Sequence, residues 1–326
     1  MFKTNLAAID LGTNSCRLKI TDKKGKLVYR EAITTKLGEG MSKDMCFTPA
    51  AFERGVNCLS HYAEMMKKYD VGMYRAITTA SCRMAKNGAE FVEKIADVCS
   101  IKLEIVSGYE EALLNVRGAI LNAPEDKDYV LVYDLGGGST EITFAKRNSG
   151  EILHTVSIPW GARNASECFD LHEYTPQKAL PLQREIEKYA QDFVEKSKFL
   201  QYLPQCCCIA TSSTPLRLMN MIKNTKTYDM DYADGLSAPV EKFDEQIAKI
   251  FGSNLAELKK NVHIGENRAP IIVAAGVIFQ TIYKTLQIKE LMASLKGAQD
   301  AIINDLVEGN NANEYTYKVC KRSSRP

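Results

Sequence analysis

Residues 129–145, YVLVYDLGGGSTEITFA, begin with an apolar run of five that ends on Asp134. Three glycines and two hydroxyl residues follow, and Glu141, Ile142, Thr143 and Phe144 then alternate polar with apolar. That pattern predicts a strand, a tight turn and a returning strand. Residues 7–20, AAIDLGTNSCRLKI, repeat it: an apolar strand enters Asp10, a turn follows, and a second strand leaves Ser15. DLGTNS and DLGGGS agree at Asp, Leu, Gly and Ser, 124 positions apart, which reads as an internal repeat rather than the short period of a solenoid.

Between and after the hairpins the periodicity predicts alternating strands and helices. Thr48-Pro49 opens a helix whose stripe is Phe52, Val56, Leu59, Tyr62, Ala63 and Met66. A strand over 73–79 leads to a helix that Ser81 can cap, with Arg83 in its first turn. Residues 103–120 read as strand, turn and helix, with Ser107-x-x-Glu110 as a capping box. Beyond PEDKD at 124–128, a strand reaches a Pro-Trp-Gly turn, an amphipathic helix covers 181–200, and the strand containing Cys206, Cys207 and Cys208 runs into the hydroxyl residues 211–214. Residues 224–267 read as a polar loop, followed by helices over Asn267 to Leu286 and Gly297 to Leu306. The division of domains is expected at 1–124 and 125–310, the last helix being free to return to the first domain. Residues 311–326 are expected to form a flexible basic tail.

Both turns suit an anion. Glycine lets backbone N–H groups approach closely because no Cβ intervenes and because positive φ comes easily. The layout is strand to strand, which excludes a Walker loop and a dinucleotide fingerprint, since both run from strand into helix. Two such turns a domain apart predict two similar domains facing a shared cleft. Arg83, at the start of its helix, is a candidate phosphate ligand. Glu110 has a structural task in the capping box, whereas its neighbour Glu111 has none and lies at a strand's carboxyl end, which makes it the candidate catalytic acid/base. The hydroxyls at 211–214 are a weaker anion site because no glycine lies among them.

Composition narrows the partners. Apolar residues make up 45% and charged residues 25% of 326, as in a soluble globular protein. With 42 Lys and Arg against 40 acids, the net charge of +2 forecasts no surface coated for nucleic acid, so any polyanion must bind locally. No apolar run approaches the roughly 18 residues of a membrane span. The N-terminus enters a strand directly, so no signal peptide is expected and the location reads as cytoplasmic. The ten cysteines contain no C-x-x-C pair, and the four histidines lie far apart, which argues against a zinc site and a histidine base. Asp229, Asp231 and Asp234 lack the closing glutamate of a calcium loop.

Taken in order, DLGTNSCRL, TTASCR, SGYEEA and DLGGGSTE resemble the exopolyphosphatase and guanosine pentaphosphate phosphatase (Ppx/GppA) family, over roughly residues 5–310 and in its short, two-domain form. The resemblance implies an α/β fold of two actin-like (RNase H-like) domains facing an interdomain cleft, within the ASKHA superfamily of actin-like ATPases, sugar kinases and chaperones. It implies that Gly12, Thr13, Asn14 and Ser15, with Gly136, Gly137, Gly138 and Ser139, clamp the terminal phosphates, that Arg83 binds phosphate, and that Glu111 activates water. Asp134 and Glu141 match acidic residues that position the nucleophilic water or magnesium, with Asp10 a further candidate. The implied cofactor is magnesium or manganese and the substrate polyphosphate or guanosine pentaphosphate (pppGpp), with no nucleic acid or membrane partner. Oligomeric state is left open, a homodimer being the assembly considered. Two departures from the family pattern, Ser213 before Thr214 and no arginine in KGAQDA, bear on how the distal substrate is held. An ATP-dependent kinase would need late Gly-Gly turns, and the late glycines at 235, 252, 265 and 276 are isolated. A non-catalytic sensor would need to have lost the acids, which are present.

Overall fold

The computed structural model describes residues 5–310 and 313–314. The chain forms two compact units, one from the residues up to Ser107 and from Gln299 onward, the other from Gly108–Ala298.

In the first unit, β1 (Asn5–Leu11), β2 (Cys16–Thr21) and β3 (Leu27–Ile33) form an antiparallel meander. β4 (Val71–Thr78) lies parallel to β1, β5 (Leu103–Ile105) parallel to β4, and the two-residue β12 (Asn313–Glu314) pairs antiparallel with β4. The Pro49–Lys68 helix forms as its sequence predicts: Thr48 Oγ1 accepts the Ala51 N–H at 3.2 Å and Pro49 occupies the first turn. Its stripe meets Ile9, Leu18 and Ile20 in one core, where the Tyr62 hydroxyl donates to the Cys16 carbonyl at 2.8 Å. The last helix, Ala298–Val307, returns here: Gln299 Nε2 donates to the Ala8 carbonyl at 2.9 Å, and Lys19 pairs with Asp300.

The second unit repeats the plan. β6 (Tyr129–Leu135), β7 (Thr140–Lys146) and β8 (Ile152–Ile158) form the meander, β9 (Cys206–Thr211) lies parallel to β6, and β11 (Glu290–Ser294) parallel to β9. β10 (Ser237–Pro239) closes the far edge. Alternation gives this sheet two faces. Leu131, Tyr133 and Leu135 face the large core built with Pro176–Ser197 and Ala269–Thr285. Val130 and Val132 face a smaller one with Val116 and Ala119 of the Gly108–Ala119 helix. The three consecutive cysteines obey the same rule, Cys206 and Cys208 joining the first core and Cys207 the second.

Several expectations are corrected. The division falls after Ser107 and not near 124, because the Gly108–Ala119 helix packs on the second sheet. Gly118 lies so close to Gly297 that a Cβ would sit 1.9 Å from its carbonyl oxygen. Residues 224–267 are not a loop: Val240–Phe251 and Leu255–Lys260 are helices, and Val240, Phe243, Ile247 and Ile250 form a buried stripe that the surrounding charges mask in sequence. Asp229 caps Met230–Ala233, while Asp234 accepts the Leu295 N–H at 2.8 Å. The helix expected from 181 begins at Pro176 behind a Thr175 cap and carries Pro181 within it. Ser81 is no cap: it lies inside the five-residue helix Ala80–Met84, so Arg83 occupies a last turn. Apart from residues 313–314, the expected basic tail lies outside the described residues. Among those residues no helix is long and apolar enough to cross a membrane, seven cysteines are buried, and Cys46 is half-buried and Cys168 exposed, all unbridged.

Candidate active site

Strand register builds the centre of the second unit. Asp134 stands directly opposite Glu141, and Glu141 opposite Ser157; on the other side Asp134 aligns with Thr211 and Thr211 with Ser294. Residues paired this way share a face, so Ser294, Thr211, Asp134, Glu141 and Ser157 form one polar row across five strands. The row follows Val130 and Val132 on the face covered by Gly108–Ala119. Asn115 Nδ2 on that helix donates to Asp134 Oδ2 at 2.8 Å, and Ser157 Oγ donates to Glu141 Oε1 at 2.9 Å. Neither Asn115 nor Ser157 is singled out by sequence. Asn115 has a signal, being four residues from Glu111 on one helix face, whereas Ser157 is found only through register.

Glu111 lies one turn before Asn115 and is buried, 8% exposed, while Glu110 is half-buried. The helix runs against the direction of β6, since Val116 and Ala119 cover Val130 and Val132 while Asn115 reaches Asp134. Glu111 therefore lies one helical turn, about 6 Å of rise, beyond Asn115 on the side toward the strand's carboxyl end. In the glycine turn the Gly136 N–H donates to the Ser139 carbonyl at 3.0 Å. None of these three glycines is among the left-handed ones, which are at 25, 40, 150, 235, 265 and 309. The reason for glycine is space: a Cβ on Gly136 would meet Ser139 O at 3.0 Å.

In the first unit the Gly12 N–H likewise donates to Ser15 O at 3.0 Å, and the side chains of Thr13 and Asn14 are buried. Here Asp10 stands opposite Arg17, which pairs with it at 3.2 Å. Burial pushes the Asp10 carboxyl above its usual range, and the Arg17 guanidinium opposes that. Arg83 follows β4 at the same sheet end as this turn. It is exposed, and its Nη1 donates to the Val106 carbonyl at 2.7 Å. Thus Asp10, Gly12, Thr13, Asn14, Ser15 and Arg83 belong to the first unit. Glu111, expected in the first domain, belongs with Asp134, Gly136, Gly137, Gly138, Ser139 and Glu141 to the second.

The Ppx/GppA phosphatase family matches residues 18–309. The chain belongs to this family. Among its relatives, a bifunctional 3-dehydroquinate synthase/phosphatase of Fusobacterium nucleatum is 34% identical over 307 residues, covering 86% of this chain and 44% of that protein. Exopolyphosphatase 2 of Mycobacterium tuberculosis is 37% identical over 179 residues, covering 51% of this chain and 55% of that one. The chain therefore spans about half the length of the curated relatives it matches. The crystal structure of the Aquifex aeolicus Ppx/GppA member superposes with a TM-score of 0.77 at 22% identity, covering 94% of this chain and 99% of that one. An exopolyphosphatase from Cytophaga hutchinsonii gives 0.83 at 21% identity with the same coverage. These likenesses carry the fold, two actin-like α/β domains, as the resemblance implied.

The donor set around Asp134 and Glu141 fits magnesium. Directly opposed carboxylates repel and weaken a sheet, which a divalent cation reverses. Among the described residues no three His, Cys, Asp or Glu side chains could hold a metal together, and magnesium is commonly held by one or two carboxylates with water and substrate phosphate completing its shell. Asp10, neutralised by Arg17, fits less well. In the hydroxyl run that begins at the last residue of β9, Thr211 Oγ1 and Ser212 Oγ are buried without a hydrogen-bond partner among the described residues.

Proposed function

We propose that this protein is an exopolyphosphatase, hydrolysing the terminal phosphoanhydride of inorganic polyphosphate and releasing orthophosphate one unit at a time, in the cytoplasm. Guanosine pentaphosphate has the same anhydride terminus, and we rank it as the second substrate. The observation that carries the reading is a buried glutamate, Glu111, one helical turn before the Asn115 that donates to Asp134, which itself faces Glu141. Phosphoryl transfer asks for positioning and charge neutralisation more than covalent chemistry, and these residues offer both.

In this mechanism Glu111 orients a water molecule in line with the terminal phosphorus and takes its proton as the new P–O bond forms. The bond from phosphorus to the bridging oxygen breaks, leaving a chain shorter by one phosphate. Asp134 and Glu141 would hold magnesium or manganese, which when bound neutralises charge on the phosphate oxygens. Asn115 and Ser157 keep those two carboxylates oriented. In the first unit, the Gly12–Ser15 turn and Arg83 would bind phosphate.

The test is release of orthophosphate from polyphosphate, from guanosine pentaphosphate and from ATP offered with sugars, each with magnesium and with a chelator. Magnesium-dependent release from polyphosphate is expected to be fastest. Release from the pentaphosphate alone would reverse the ranking, and release from neither would overturn the reading.

A further inference from the structure

The Pro-Trp-Gly turn after β8 has a task that its sequence does not announce. The segment Pro159–Asn164 lies directly against the back of the glycine turn. Ala162 N donates to Gly136 O at 2.9 Å, Arg163 N to Gly137 O at 2.8 Å, and Asn164 N to Gly137 O at 3.2 Å. Asn164 Nδ2 donates to Gly138 O at 3.0 Å and to Pro159 O at 2.9 Å, while Asn164 Oδ1 accepts the Gly161 N–H at 2.8 Å. Thr140 Oγ1 fastens the same segment through Trp160 O at 2.7 Å. Contact is close enough that a Cβ on Gly161 would fall 2.5 Å from Gly137 C and 2.6 Å from Gly138 N.

Peptide geometry turns these bonds into a direction. In a trans peptide the C=O of one residue and the N–H of the next point opposite ways. Holding the carbonyls of Gly136, Gly137 and Gly138 on one side therefore aims the N–H groups of Gly137, Gly138 and Ser139 to the other. Among the described residues none of the three donates to a backbone carbonyl. Successive N–H groups turned the same way form an anion-binding concavity. A run of three glycines has no side chains to stiffen it, so the orientation must come from outside.

We propose that Asn164 is a positioning residue for phosphate hydrolysis: its carboxamide ties Gly138 O to the Gly161 N–H and so aims three backbone N–H groups at the terminal phosphate. The inference rests on the reading of this turn as a phosphate cradle. Asn164 touches neither substrate nor metal and acts through the turn alone.

Three variants and two readouts test it on the full chain. Asn164→Ala removes all three side-chain bonds. Asn164→Asp keeps an acceptor for Gly161 N–H but cannot donate to Gly138 O, and serves if the alanine variant fails to fold. Asn220→Ala is the control: Asn220, buried where Asn164 is half-buried, also ties three backbone groups, those of Leu216 and Asp229, away from the turn. Polyphosphate hydrolysis is expected to lose about 10- to 100-fold in kcat/KM in both Asn164 variants. In Asn220→Ala it should stay within about twofold at temperatures where all variants are folded, whatever the fall in Tm. Titration with orthophosphate, followed through the amide resonances of Gly137, Gly138 and Ser139, should shift all three in the native protein and need at least about fivefold more phosphate in Asn164→Ala. A folded Asn164→Ala with native kcat/KM would overturn the proposal, as would unmoved glycine-turn amides in the native protein at saturating phosphate. A native protein without phosphatase activity whose three amides still respond, with the response weakened in Asn164→Ala, would sink the functional reading and leave this inference standing.

Discussion

The two hairpins share a backbone and differ in charge. Each starts from an aspartate at a strand end and closes with a glycine N–H on a serine carbonyl at 3.0 Å. Each is also backed by the chain that follows its third strand. In the first unit Lys36 N holds Asn14 O at 3.0 Å and Gly38 N holds Thr13 O at 2.9 Å; in the second, Pro159–Asn164 holds three carbonyls. Across the hairpin, however, Asp10 faces Arg17 and Asp134 faces Glu141. One aspartate thus faces an opposite charge, and the other faces a second carboxylate. The duplicated plan supplies two similar turns, and one exchange, Arg17 in the first hairpin for Glu141 in the second, separates them in charge. The turn with side chains, Thr13 and Asn14, has two carbonyls held, and the turn with none has three.

Glu111→Gln would break the comparison most sharply, with a loss of about 10²- to 10⁴-fold in kcat and little change in the urea midpoint. Glu110→Gln, half-exposed and able to close a capping box as glutamine, should remain near native activity. Equal losses in both would contradict the assignment. Asp134→Asn is next, at about 10²-fold or more, because it removes one of the two carboxylates proposed to hold the metal. Asp10→Asn, whose charge Arg17 already neutralises, should lose less, and phosphate release as a function of magnesium concentration should shift for the first variant only.

The backing segments differ in what a methyl group would strike. Gly161→Ala drives a Cβ into backbone atoms of the turn, whereas Gly38→Ala meets the Thr13 methyl at 2.3 Å. Denaturant titration should find Gly161→Ala destabilised by about 1–3 kcal/mol, and Gly38→Ala should be largely rescued by Thr13→Ser, which removes the obstructing carbon. No such rescue exists for Gly161. A similar contrast follows the two central parallel strands. Ser212, after β9, sits at φ 81° and ψ −171°, while Thr79, after β4, sits at φ −118° and ψ −139°. Only the first is in a region reserved for glycine, so Ser212→Gly should gain about 1 kcal/mol, and Thr79→Gly should lose stability.

The smallest effect concerns pH. Burial raises the folded-state pKa of Asp10 despite Arg17. A raised pKa makes its contribution to stability complete below the unfolded pKa, and that contribution is lost as pH rises through the folded value. Asp10→Asn, which does not titrate, should therefore compare better with the native protein at pH 7 than at pH 3. Urea midpoints at the two values check the sign; a constant difference would mean that Arg17 cancels the burial.

Strand, turn and helix around both hairpins were legible in sequence, because period-two alternation ending on Asp10 and Asp134, and a stripe beginning at Thr48-Pro49, are local signals. So was the family, since its motifs are contiguous. Residues 224–267 were not, because their helices bury only one residue in three or four among many charges. The site was half legible. Sequence names Glu111, Asp134 and Glu141 but places Glu111 in the wrong domain, since a helix declares its own ends and not the sheet it covers. Register alone set Ser157 beside Glu141, and packing alone laid Asn115 on Asp134 and Asn164 behind the glycines. Those contacts join residues distant in the chain, and no local pattern encodes them. The chemistry of each turn is written in its own six residues; which way its N–H groups face is decided by the segment folded against its back.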